Sequence, residues 1–157
     1  MKSHKITIAV FIGFLVWDGV CINYAKADSV SRTVGMQELC TTSTKLVRHT
    51  SEATKKAVYA AAGVTPRHSP ECTGPSNVCD EVDHVWALTG GGADVIGNLQ
   101  IQSYEGPCNA HQKDLLEVKL HHLICTDKTL TIDQAGAILT TDWVGGYTKY
   151  IDPKGCN

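Results

Sequence analysis

The sequence predicts an α+β domain cross-linked by disulfides, and three patterns predict it. Two stretches, "NAHQKDLLEVKLHHLIC" and "TIDQAGAILTTDW", carry helix signals: apolar residues at helical spacing in the first and a capping pair at the start of each. Two short apolar runs flank the glycine triplet Gly90–Gly92, as the arms of a β-hairpin would. Six cysteines lie beyond the N-terminal leader, an even number suited to pairing.

Residues 1–27 read as a signal peptide. "MKSHK" is a short basic start, "ITIAVFIGFLVW" is an apolar core too short for a lasting membrane span, and "AKA" offers a small-x-small cleavage site after Ala27. Cys21 follows Asp18, Gly19 and Val20, which lack the Leu-like residue of a lipid-attachment site. The expectation is an exported chain, periplasmic or secreted, with residues 28–157 as a single domain and no membrane contact after signal removal. No later stretch resembles a membrane span. An exported chain with Cys40, Cys72, Cys79, Cys108, Cys125 and Cys156 meets an oxidising compartment, so three disulfides are expected. A zinc cluster is disfavoured because no C-x-x-C pair starts one.

The elements follow in order. Residues 28–38 are polar and read as loose. "SEATKKAVYAAA" predicts a helix over 51–62, capped by Thr50 or Ser51 and stopped by Gly63. Residues 63–81, with three prolines and two glycines, read as a loop that a Cys72–Cys79 pair would stiffen. Strands are predicted over 82–88 and 98–102. Asn109 with Gln112, and Thr131 with Gln134, form capping-box starts for two further helices. Leu116, Leu120 and Leu123 form the apolar stripe of the first, and Gly145–Gly146 read as the stop of the second. Trp86 and Trp143 read as core or half-buried, and Lys55–Lys56 and His121–His122 as solvated.

The chemistry concentrates in "DHVWALTGG" at 83–91. An Asp–His pair is an unusual inclusion in an apolar strand. Neighbouring strand residues point to opposite faces, so Asp83 and His84 serve one site only across a bend or bulge. Asn98 opens the returning strand, where its amide is placed to tie down the hairpin loop. His111 sits in the first turn of the next helix. No Gly-x-Ser-x-Gly elbow, His-Glu-x-x-His helix or phosphate-binding Gly-Lys-Ser/Thr loop is present.

The order Asp-His, Gly-Gly, Asn-Leu, then a helix with His and Lys resembles the HNH (ββα-metal) endonucleases. The resemblance is closest to small exported bacterial proteins with an HNH-like core. Cys40, Arg48, "DHVWALTGG" at 83–91, "NL" at 98–99, "KDLLE" at 113–117, Cys125 and "DW" at 142–143 carry it. It implies a ββα-metal core, hairpin plus helix, with flanking helices. It also implies metal-dependent hydrolysis of nucleic-acid phosphodiesters, leaving a 5′ phosphate. His84 would be the general base and Asn98 would keep its aim. Asp83 would bind one divalent cation, magnesium first, with manganese, zinc or nickel as alternatives. His111 or Asn98 would be its second ligand, and Glu117 a further candidate. Lys113 and Arg48 would meet the substrate, and Cys40 would pair with Cys125. The helix departs from the usual His-x-x-Lys spacing, because "HQK" at 111–113 sets His111 one position, about 100°, off that face. A catalytically inactive HNH-like binding or scaffold protein is the alternative.

Charge bears on the partner. The chain carries −2, and loss of Lys2, Lys5, Lys26 and Asp18 with the leader takes the domain to −4. Lys45, Arg48, Lys55, Lys56 and Arg67 face only Glu52 in their stretch, whereas Glu71, Asp80, Glu81 and Asp83 follow without a cation. A basic face beside an acidic pocket suits a phosphate track. The net negative charge predicts weak, salt-sensitive nucleic-acid binding.

Overall fold

The structure, a computed structural model, describes residues 30–156. The predicted leader and its cleavage after Ala27 lie outside the described residues. The fold is α+β. Its elements are α1 (Met36–Thr41), α2 (Glu52–Ala61), β1 (Asp80–His84), β2 (Leu99–Ser103), α3 (Ala110–Cys125), α4 (Ile132–Thr141) and α5 (Trp143–Tyr150). β1 and β2 form a two-stranded antiparallel sheet. No helix among the described residues is long and apolar enough to cross a membrane.

Local chemistry explains most boundaries. Ser51 caps α2 by accepting from the Thr54 N–H at 3.1 Å, and Gly63 (φ +66°) follows its end. Both predicted capping boxes form, at Asn109/Gln112 and Thr131/Gln134. α3 is the spine of the core: Leu116, Leu120 and Ile124 are essentially unexposed and pack with Trp86, Leu139 and Tyr147. Each such side chain contributes roughly 2 kcal/mol by leaving water.

Three disulfides staple these elements. Cys40–Cys125 ties α1 to the end of α3, Cys108–Cys156 ties the start of α3 to the C-terminal segment, and Cys72–Cys79 closes the loop before β1.

Four expectations are corrected. Residues 30–38 are not loose: Val30 is buried, Ser31 bridges Gly92, and α1 begins at Met36. The Val30 carbonyl accepts from Ala93 and the Arg32 N–H donates to Gly91, so this segment straps the glycine turn. The first strand is shifted, running Asp80–His84 rather than 82–88, because the Asn98 side chain claims the Trp86 backbone and ends the ladder. Gly145 and Gly146 lie inside α5 rather than stopping a helix. A Cβ at Gly146 would approach Ile138 Cγ2 to 2.4 Å, so glycine there permits close packing of α5 on α4. His121 is half-buried and its Nδ1 meets the Thr89 carbonyl at 2.8 Å, whereas His122 is exposed as expected.

Candidate functional site

The site is built on the hairpin and on the face of α3 that crosses it. β1 and β2 pair in regular register through Asp83↔Gln100 and His84↔Leu99. No bulge interrupts the Asp–His pair, so the two side chains follow strand alternation and take separate partners.

His84 is 2% exposed. Its Nε2–H donates to Asp94 Oδ1 at 2.8 Å, and no described residue hydrogen-bonds its Nδ1. Asp94 is fixed in turn by the Thr50 hydroxyl and the His49 backbone N–H. Burial pushes the Asp94 carboxyl up, but hydrogen bonds from Thr50, His49 and His84 outweigh it and hold it at about 2. Burial lowers the proton affinity of His84 and the nearby Arg48 guanidinium adds to the fall, together outweighing the Asp94 and Asp83 carboxylates that raise it. The imidazole is therefore neutral at physiological pH, with its tautomer set by Asp94 and a lone pair at Nδ1. A groove of about 420 Å³, lined by Thr50, Ala53, Ala57, Asp94, Ile96 and Leu99 among others, opens on the Asp94 side; His84 does not line it.

Asp83 turns instead to α3. Lys113 Nζ donates to Asp83 Oδ2 at 2.5 Å, to the His84 carbonyl at 2.8 Å, and to Glu117 Oε1. Lys113 is fully buried, and the Asp83 and Glu117 side chains are each 15% exposed. Helical spacing i, i+4 sets Lys113 and Glu117 on one face of α3. Burial raises Glu117 to about 7, with Asp83 adding to the rise and Lys113 opposing it. Burial also raises Glu81 and Asp114 at the margin of this cluster.

Asn98 is wholly buried and fully engaged. Its Oδ1 accepts from the Trp86 N–H at 2.9 Å, and its Nδ2 donates to the Trp86 and Ala93 carbonyls at 2.9 and 2.8 Å. The amide clamps the turn between β1 and β2. His111 is exposed and stands with its ring 5.0 Å from that of Tyr104. Arg48 is exposed near His84 and Asp114.

The structure thus brings His84 together with Asp94, and Asp83 with Lys113 and Glu117. It does not bring Asp83, Asn98 and His111 to one point. Among the described residues no group of three or more His, Cys, Asp or Glu side chains is arranged to hold a metal ion. The donor set that the resemblance assigns to a divalent cation therefore does not fit one: Asn98 is spent on the turn, His111 lies against Tyr104, and an ammonium holds Asp83.

Asp94 is the residue the sequence left unmarked. Its signal is faint, a lone carboxylate four residues past the first glycine of the turn. Lys113 had a clearer one: it stands three residues before Leu116 on the apolar stripe, four before Glu117. No known protein family, curated protein or solved structure matches this chain.

Proposed function

We propose that this chain is an exported endonuclease that hydrolyses nucleic-acid phosphodiesters with His84 as general base. The observation that carries the reading is the buried His84–Asp94 pair, whose Nδ1 takes no hydrogen bond from a described residue. An Asp that orients a neutral imidazole leaves the opposite nitrogen as an aimed base. The hairpin followed by a helix, with Asn98 clamping the turn, supports the same reading, as does the resemblance to the HNH endonucleases.

In this scheme Nδ1 takes a proton from water and the water oxygen bonds to phosphorus. The bond to the 3′ oxygen breaks, leaving a 5′ phosphate and a 3′ hydroxyl that gains its proton from solvent. Arg48, exposed beside His84, meets the phosphate charge. Lys113, buried and engaged, serves the scaffold rather than the substrate. No step is routed through a metal ion. Three disulfides favour an oxidising compartment and support export.

A plasmid-nicking and oligonucleotide-cleavage assay on wild type and His84→Ala tests this. Wild type is expected to cut and His84→Ala to lose at least a hundredfold, in the range general bases supply. Equal inactivity of both overturns it and favours the second reading, a non-catalytic HNH-like binding scaffold. That reading draws on one observation, that Lys113 commits the carboxylates a nuclease metal would need.

A further inference from the structure

Between β1 and α3, two carboxylates and a backbone carbonyl close around one cation, the Lys113 ammonium. We propose that Lys113 is the resident cation of this site: it occupies the place between Asp83 and Glu117 that a divalent metal would take, so the folded protein takes none there.

The stereochemistry is complete without an ion. An ammonium has three N–H donors and no acceptor. Lys113 has three acceptors, Asp83 Oδ2, the His84 carbonyl oxygen and Glu117 Oε1, and its side chain has no exposure. Every donor is used and every contact is inside the protein. A magnesium ion demands about six oxygens at roughly 2.1 Å. It would have to enter beside a fully buried positive charge, or expel it from a position where its four-carbon stem is packed. Both carry a large electrostatic or packing cost. The arrangement is a product of chain geometry: Lys113 and Glu117 share a face of α3, and that face crosses β1 where Asp83 points toward it.

The same ammonium has a second consequence. It holds the carbonyl of His84 while Asp94 holds the ring. Occupation of this place by Lys113 does not depend on cleavage activity.

Manganese titration of the full chain, read by the loss of the free-ion paramagnetic resonance signal, tests it. Wild type is expected to leave the signal undiminished and to show the same melting temperature in manganese as in chelator. Lys113→Ala removes the ammonium and leaves both carboxylates. It is expected to take up one manganese per chain and to gain melting temperature with the ion, and the double variant Lys113→Ala/Asp83→Asn to lose both. Wild-type uptake of one manganese that Asp83→Asn abolishes would overturn the proposal. So would a folded Lys113→Ala that takes up none. If Lys113→Ala does not fold, wild type and Asp83→Asn decide the matter alone.

Discussion

Asp94 is the residue on which the proposed chemistry turns, and its effect on His84 has a definite sign. Its carboxylate raises the proton affinity of the imidazole while burial lowers it more. Asp94→Asn should therefore move the His84 titration, followed by imidazole NMR, to lower pH. It should also cost about 2–3 kcal/mol in urea unfolding, since hydrogen bonds to a nearly buried carboxylate are lost. Two further groups leave opposite marks on stability. His84 titrates below its ordinary 6.5 in the fold, so the unfolded chain takes up its proton first and His84 weakens the fold as pH falls below that value. Glu117 titrates at about 7 against an ordinary 4.5, so the folded protein keeps a proton the unfolded chain has shed. Its contribution is full below about 4.5 and fades as pH rises toward 7. Glu117→Gln should remove that decline, so its melting temperature relative to wild type should rise across the window; a parallel pair of curves would contradict the assignment.

At the scale of elements, the turn between β1 and β2 depends on Asn98 as well as on its glycines, since a Cβ at Gly92 would meet the Trp86 carbonyl. Asn98→Ala leaves the Trp86 N–H and the Trp86 and Ala93 carbonyls without their partner in a buried place. The expected loss is roughly 2–4 kcal/mol, with faster hydrogen exchange confined first to residues 86–97. This is also where legibility in the sequence divides. Elements fixed by contacts within a few residues were readable: the capping boxes of α3 and α4, the Ser51 cap, the glycine turn. Boundaries fixed by contacts across the fold were less so, although the second strand and the Cys40–Cys125 tie were expected and are present. β1 ends at His84 because a side chain twelve residues on takes over the Trp86 backbone, and no local propensity encodes that. Gly145–Gly146 resemble a stop, yet Gly146 lies in a helix because Ile138 presses against it. The site divides the same way. His84 and Asn98 stood out by residue type and order, whereas Asp94 acquires its role only when the turn folds it back onto β1.

Across the whole molecule, the three disulfides differ in what they close. Cys40–Cys125 spans 85 residues, Cys108–Cys156 spans 48 and Cys72–Cys79 spans 7. Chain entropy assigns about 4–5 kcal/mol to each of the first two and about 2–3 to the last. Replacing Cys40 and Cys125 by serine should therefore lower the urea midpoint markedly more than replacing Cys72 and Cys79; the reverse order would mean that the local loop, not the tie from α1 to α3, holds the fold. That tie matters for the site as well, since α1 leads into the segment carrying Arg48, His49 and Thr50, two of which fix Asp94. The scaffold, the orienting carboxylate and the imidazole form one mechanical unit.

The pH–rate profile of nucleic-acid cleavage tests that unit most directly. The activity of wild type should rise with pH along a single limb whose midpoint lies below 6.5 and coincides with the His84 titration. In Asp94→Asn the residual activity should follow a limb displaced to lower pH. Cleavage with no such limb, or with a midpoint that Asp94→Asn leaves in place, would contradict a histidine base aimed by Asp94.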